Sequence, residues 1–353
     1  MKEATKQSFY DLNLDQLKMC LFRQDLNPKV ASDLFNWHYK KKIQTPCELI
    51  ISNKSKEYIY NNFDFKLPEI KFVHESKDLT VKFIFKFSDH LSIETVLIPF
   101  LNNKYSLCIS SQVGCAMNCS FCFTGTQGLS RSLNTSEIIG QFLAANTWLK
   151  QNRVSESKIS NIVFMGQGEP LHNFEAVKTA CEIFTSQNGF SIGPQKITVS
   201  TSGYLPGLNK WLDSPLGVNL ALSLHSTNFK KREQLIPISK KYPLTEVLQV
   251  MDQIPLIPKQ FFTFEYLLIK DFNDSESDAY ELGELLKSRR ALINLIPFNP
   301  FPQSRYERPD QKTVIKFKEI LDTFKIPNMI RKTKGDDVLA ACGQLNTKVE
   351  FLI

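Results

Sequence analysis

From residue 105 to residue 297 the chain alternates short apolar runs with longer segments whose apolar positions recur every three to four residues. The runs 105–110, 159–165, 196–200, 218–224, 262–269 and 291–297 are rich in Ile, Val, Leu and Phe, as strands covered on both faces of a sheet are. The segments between them, 136–150, 174–187, 204–213, 243–253 and 276–290, read as amphipathic helices. Strand and helix alternating in this order build a parallel sheet. Six such units fall short of the ~250 residues of a full eight-unit barrel and predict a partial (βα)6 barrel, in an α/β fold.

Upstream the period changes twice. Leu14, Leu17 and Leu21, then Val30, Leu34, Phe35 and His38, stand at helical spacings and predict a small N-terminal helical domain over 1–65. Ile70, Phe72 and Val73, the run Val81 to Phe87 and the run Ile93 to Ile98 favour β-structure, a hairpin or small sheet within 66–104. The barrel then occupies 105–345, and 346–353 form a short tail.

Composition adds bounds. Hydrophobic residues at 42% and charged residues at 22% are ordinary globular values, and no repeat or low-complexity segment is present. Residues 1–15 lack the apolar core of a signal peptide, and no stretch approaches the ~18 apolar residues of a membrane span. Eight cysteines are too few to staple 353 residues, so a reducing compartment is expected: a cytoplasmic protein with no membrane partner. The net charge of +7 is gathered in Lys230-Lys231-Arg232, Lys240-Lys241, Arg289-Arg290, Arg305 with Arg308, and Arg331-Lys332 with Lys334. Any one of these reads as a solvated loop or helix end; the set points to a polyanion.

The candidate chemistry follows the strands, where βα barrels place their active sites. Cys115, Cys119 and Cys122 are spaced Cys-x3-Cys-x2-Cys. A 4Fe-4S cluster ordinarily takes four thiolates, so three leave one iron open for a small molecule. With Cys108 as a fourth ligand they would instead make a tetrahedral zinc site, although zinc ligands usually come as two close pairs. Gly166-Gln167-Gly168-Glu169-Pro170 reads as an ordinary strand-exit turn or as a seat for an ammonium-bearing ligand. Ser200, Ser223 and Asn299 are loop residues taken singly, and His225 a lone histidine at a strand end.

Together these residues resemble the RlmN/Cfr family of radical S-adenosylmethionine (SAM) RNA methyltransferases, and the RlmN branch more closely. The resemblance covers roughly 94–345. It rests on Ile93-Glu-Thr-Val96, on Cys108 to Cys122, on Met165-Gly-Gln-Gly-Glu-Pro170, Ser200-Thr-Ser-Gly203 and Ser223-Leu-His225. Asn294-Leu-Ile-Pro-Phe-Asn-Pro300 belongs to it too, as does Arg331-Lys-Thr-Lys-Gly-Asp-Asp337 leading to Ala340-Ala-Cys-Gly-Gln344. The last segment makes Cys342 a catalytic candidate, because radical-SAM enzymes in general lack it. Cys20, Cys47 and Cys181 match nothing in the pattern and read as structural.

The resemblance implies methylation of adenosine C2 in large-subunit ribosomal RNA, with tRNA as a second substrate of some members. It implies a 4Fe-4S cluster on Cys115, Cys119 and Cys122, and two SAM molecules per turnover. Gly168, Glu169, Ser200, Ser223, Leu224, His225 and Asn299 match positions that contact SAM. Cys342 is the expected methyl acceptor, Glu94 the base for the C2 proton, and Cys108 the thiol that forms a disulfide with Cys342 and frees the RNA. The implied partners are RNA, gripped by the N-terminal domain, and an electron donor of the flavodoxin type; a monomer is expected.

Departures from the pattern are Gln167, where the family usually has a second methionine, Phe123 after the third cluster cysteine, and the short segment following Cys342. Two alternatives remain at this stage. One is a C8-adenosine methyltransferase of the Cfr type; the other is a non-enzymatic zinc-dependent RNA-binding protein.

Overall fold

The computed structural model describes residues 6–41, 50–257 and 260–347; Cys47 and nearly all of the expected tail lie outside them. The chain opens with β1 (Gln7–Ser8) and helices α1 (Leu14–Phe22), α2 (Lys29–Phe35) and α3 (Asn53–Asn62), closed by β2 (Phe63–Asp64), which pairs in parallel with β1. Asn13 starts α1 because its side chain accepts from Gln16 N while Gln16 reaches back to Asn13 N, a capping box. Phe9 is fully buried among the rings of Phe35, His38, Tyr39 and Phe65. Burial lowers the pKa of His38 to about 4, so it packs as a neutral ring.

Next come β3 (Glu69–Glu75), β4 (Val81–Lys86), β5 (Ser92–Pro99) and β6 (Lys104–Cys108), all antiparallel neighbours. β5 pairs with β6 through Val96–Cys108 and Leu97–Leu107, so these strands continue the barrel's own sheet. A small hairpin of β7 (Gln112–Gly114) and β8 (Leu129–Ser132) leads to α4 (Thr135–Asn152) and β9 (Lys158–Phe164). There follow α5 (Phe174–Thr185), β10 (Ile197–Thr201), α6 (Leu205–Asp213), β11 (Asn219–Ser223), α7 (Phe229–Leu235), α8 (Leu244–Gln253) and β12 (Phe262–Leu268). Last are α9 (Glu276–Leu286), β13 (Ala291–Pro297), α10 (Gln311–Thr323) and β14 (Asn328–Ile330).

The main sheet has ten strands in the order β14-β13-β12-β11-β10-β9-β6-β5-β4-β3, and β6 and β9 to β14 run parallel. It is open at both ends, which makes it a partial barrel. The six expected parallel strands lie within two residues of their sequence positions, and β14 adds a seventh. At three residues β14 is too short for a period-two pattern to show. Helices pack on the outer face, and Phe164, Val199, Leu222, Phe264 and Ile293 are among the fully buried strand residues beneath them. The loops that leave the C-terminal ends of the parallel strands therefore gather on one rim.

Candidate active site

The cluster loop begins where β6 ends, and a glutamine from α4 fixes that point. Gln141 is fully buried; its Oε1 accepts from Ser110 N (2.8 Å) and Thr95 Oγ1 (2.7 Å), and its Nε2 donates to Ser110 O (3.0 Å). From there the β7–β8 hairpin projects the segment holding Cys115, Cys119 and Cys122. Ser120 ties this segment to α7, its hydroxyl donating to Gln234 O (2.8 Å) and its N–H to Leu235 O (3.0 Å). Cys119 packs against the cluster of Leu235 and Ile236.

Burial pushes the Cys115 thiol up to about 12 and holds Cys119 and Cys122 high as well. Cys115, Cys122 and Glu169 raise Cys119 further, while Arg232 opposes the rise. The loop's thiols and the Glu169 carboxyl thus share one field. Among the described residues no three His, Cys, Asp or Glu side chains converge as a ready chelate for one metal ion. Three soft donors on one loop nevertheless fit an iron–sulfur cluster, whose positive charge takes up the cost of deprotonating thiols. The fourth ligand of a zinc site would have been Cys108, but Cys108 lies in a separate apolar group with Ala340 and Leu345 and interacts with Cys342.

Beside the loop, Gly166 to Pro170 forms a tight crossing. Gly168 has φ +103°, and a Cβ there would stand 2.6 Å from Gln112 Cβ and 2.8 Å from Gln112 N. Gln112 Oε1 accepts from Glu169 N (2.9 Å). Glu169 is buried, with Oε2 accepting from Ser202 N and Oγ (both 2.8 Å) and Oε1 from Leu171 N (3.1 Å). Burial raises its pKa and these bonds oppose the rise. The Thr201 side chain donates to it as well, so four donors hold the carboxylate in place.

Ser200 lies on β10, and Ser223, Leu224 and His225 close β11 on the same rim. His225 Nδ1 accepts from Leu267 N (3.1 Å), its carbonyl accepts from Asn273 Nδ2 (2.6 Å), and Phe121 meets its ring edge-on at 4.6 Å. Burial, assisted by Arg232, lowers its pKa to about 3 and keeps the ring neutral.

The third group sits between β5 and the C-terminal loop. Glu94 is 2% exposed, its Oε1 lies 3.2 Å from Lys82 Nζ, and its Oε2 is buried without a hydrogen-bond partner. Burial raises the Glu94 pKa and Lys82 opposes the rise. Glu94 N donates to Gln167 Oε1 (3.0 Å), and Gln167 Nε2 donates to Gln127 Oε1 (3.4 Å).

The loop carrying Cys342 is fastened at both ends. Asp337 Oδ1 accepts from Ser76 Oγ (2.5 Å), Asp337 Oδ2 from Lys77 N (3.2 Å), and Asp78 Oδ2 from Gly335 N (3.1 Å). On the other side Phe123 N donates to Gly343 O (2.7 Å), Thr124 Oγ1 to Leu345 O (2.6 Å) and Asn299 Nδ2 to Cys342 O (3.2 Å). Gln344 Nε2 donates to Pro300 O and Asp336 Oδ1 (both 2.7 Å). Cys342 itself reaches solvent. The protein crowded around its sulfur raises its pKa, Glu265 adds to the rise and Arg331 opposes it.

Every cysteine among the described residues is a free thiol, so the Cys108–Cys342 disulfide that the resemblance implies is not formed here. Cys181 is a core residue and Cys20 packs at the core's edge, as their reading as structural had it. One basic cluster changes meaning: Arg232 is 1% exposed and Lys231 is paired with Asp278 at 2.8 Å, so Lys230-Lys231-Arg232 is not a solvent-facing set. Sequence reasoning missed Gln112, Gln141 and Lys82. For Gln141 the signal was present, a polar side chain beside Ile138, Ile139 and Phe142 on the apolar face of α4. No helix among the described residues is long and apolar enough to cross a membrane.

Comparison with known proteins agrees with this arrangement. The Radical SAM superfamily model matches residues 109–283. A probable dual-specificity RNA methyltransferase RlmN from Aquifex aeolicus is 41% identical over 95% of this chain and 96% of its own length. The dual-specificity RNA methyltransferase RlmN of Bartonella henselae is 40% identical over 100% of this chain and 91% of its own. Among solved structures, a radical SAM methyltransferase from Sphaerobacter thermophilus superposes with a TM-score of 0.85 at 33% identity, covering 96% of this chain and 99% of that one.

Proposed function

Because this chain belongs to the RlmN family of radical-SAM RNA methyltransferases, we propose that it methylates C2 of an adenosine in large-subunit ribosomal RNA through an S-methylcysteine on Cys342. The relatives' description as dual-specificity enzymes supports a tRNA adenosine as a second substrate. Adenine C2 lies between two ring nitrogens and is too electron-poor to attack a sulfonium methyl itself. The protein must therefore bring the methyl as a group that can be made reactive after transfer.

Superfamily membership implies a 4Fe-4S cluster and SAM. Cys115, Cys119 and Cys122 would hold the cluster; Gly168, Glu169, Ser200, Ser223, Leu224, His225 and Asn299 would line the SAM site. Bound there, cluster and SAM supply a carbon-centred radical that removes one hydrogen atom, the electron coming from a flavodoxin-type donor. Cys342, as thiolate, first takes a methyl from one SAM, forming a C–S bond as the sulfonium C–S bond breaks. After loss of a hydrogen atom, driven by a second SAM, the Cys342 methylene adds to C2. The adduct radical would return one electron to the cluster that supplied it while Glu94 takes the C2 proton on its unpartnered Oε2, leaving a methylene bridge between the Cys342 sulfur and C2. Cys108, as thiolate, then attacks the Cys342 sulfur: the S–S bond forms as the bond from that sulfur to the RNA-borne carbon breaks, and the carbon takes up a proton to become the methyl.

The observation that supports this reading is the docking of the Cys342 loop: Phe123 N donates to Gly343 O beside the cluster loop, and Cys108 packs against Ala340 and Leu345 of the same C-terminal loop. The N-terminal helices and exposed basic residues would grip the RNA through phosphates, and the target base must leave its stack to reach the rim. Mass spectrometry of ribosomal RNA and tRNA from cells with and without this chain tests the proposal. A 2-methyladenosine that depends on the chain is expected; an 8-methyladenosine, or no change, would overturn it.

A further inference from the structure

Arg232 is a charged residue placed where a charge is costly. It sits at the middle of α7, 1% exposed, and all its hydrogen-bond partners are neutral. Nε donates to Leu224 O (3.1 Å), Nη2 to Ser202 O (2.9 Å) and Ser223 O (3.1 Å), and Nη1 to Ser239 Oγ. No carboxylate pairs with it in any ion pair among the described residues. A guanidinium cannot shed its charge as a lysine can, so burial among neutral dipoles alone would leave a large desolvation cost uncompensated.

An anion close by in the working protein would offset that cost. The cluster loop is the neighbour: Ser120 binds Gln234 O and Leu235 O at the end of the same helix, and Cys119 packs on Leu235 and Ile236. We propose that Arg232 is the buried counter-charge of the Cys119 corner of the cluster, and that it sets the cluster's reduction potential. It is a positioning residue that touches no reacting atom. Adding an electron to the cluster adds one negative charge; a fixed positive charge nearby, in a low-dielectric interior, favours the reduced form. Its bonds to the carbonyls of Ser202, Ser223 and Leu224 would at the same time lock the SAM-lining strand ends to the helix that carries it.

This inference rests on the reading that Cys115, Cys119 and Cys122 hold a 4Fe-4S cluster. The test is a potentiometric titration of the anaerobically reconstituted full chain with dithionite, followed by the electron paramagnetic resonance signal of the reduced cluster, in wild type, R232K and R232Q. R232K loses the fork of hydrogen bonds but, beside an anionic cluster that holds its ammonium protonated, keeps the charge, while R232Q loses the charge. Expected are a potential near wild type for R232K and a shift to more negative potential for R232Q, at equal iron content. A purely structural Arg232 would lower the melting temperature in both variants alike and leave the potentials independent of charge, which would overturn the proposal. If R232Q fails to fold, R232K decides: a negative shift despite the retained charge overturns it. A wild-type chain that takes up no cluster would overturn the underlying reading instead, and the proposal with it.

Discussion

Lys82 Nζ stands 3.2 Å from Glu94 Oε1, and the two side chains are only 10% and 3% exposed. The pair spans neighbouring strands, Lys82 on β4 and Glu94 on β5, and Lys82 also reaches Leu339 O (3.4 Å) on the loop leading to Cys342. One cation therefore holds both the proposed base and the loop that carries Cys342.

Removing Lys82 should strand a buried carboxylate, a loss of about 3–5 kcal/mol where Glu94 is ionised. Burial already raises the Glu94 pKa and Lys82 restrains it, so K82M should raise it further. A carboxyl whose folded-state pKa lies above its unfolded value contributes stability at pH below the unfolded value, and that contribution is lost as pH rises through the folded value. K82M should thus melt closer to wild type at pH 5 than at pH 8, and the acid limb of its methylation rate should move to higher pH. Thermal melts and rate profiles across that range check both, and a pH-independent loss would argue against the pair's role.

Much of this was legible in the chain. The parallel strands announce themselves because strands covered on both faces are dominated by apolar and aromatic residues, as in Phe262–Leu268, where only Thr263 and Glu265 interrupt them. The cluster cysteines are legible from spacing, being local. What was not legible is long-range pairing of polar groups: Gln141 with Ser110, Lys82 with Glu94, and Arg232 with the carbonyls of Ser202 and Ser223. In the sequence Arg232 reads as one third of a basic surface cluster, since nothing local distinguishes a buried cation from a solvated one. Asn299 shows the same limit from the other side: the family pattern points to SAM, whereas its described contacts hold the Cys342 loop.

Gln167 replaces a residue that is usually methionine in the family, and its amide is used. Losing the acceptor for Glu94 N takes a hydrogen bond from a buried N–H, at about 1–3 kcal/mol for an orphaned group. Both Q167L and Q167M should lower the urea midpoint by an amount in that range. A Q167M chain as stable as wild type would mean that the rest of the site has not adapted to glutamine.

Gly168 is the crossing point of the proposed SAM site, and its neighbour leaves no room. G168A places a Cβ 2.6 Å from Gln112 Cβ at φ +103°, whereas G217A, also at positive φ (+68°), meets nothing within 4 Å. Both substitutions add backbone strain of about 1–3 kcal/mol. Only G168A should also weaken SAM binding, by disturbing Gln112 and the Glu169 N–H it holds. Equilibrium dialysis with the two reconstituted variants separates the effects, and equal SAM affinity in both would place the SAM site elsewhere.

The proposal gives Cys108 and Cys342 different jobs, so their alanine variants should fail differently. Cys342 lies on the exposed loop and Cys108 in the apolar group of Val96, Ala340 and Leu345. Without Cys342 there is no methyl acceptor: no methyl should appear on the protein, and no RNA should become attached. Without Cys108 the methyl can be loaded and the methylene can add to the base, but the C–S bond to RNA cannot be released by disulfide formation. C108A should therefore accumulate a covalent RNA–protein adduct that survives denaturing electrophoresis, while C342A shows none. Were both thiols merely packing groups, each truncation would cost roughly 1 kcal/mol or a little more in stability and neither would trap RNA. Multiple-turnover methylation by C108A without an adduct would refute the role assigned to Cys108, and methylation by C342A would refute the S-methylcysteine route itself.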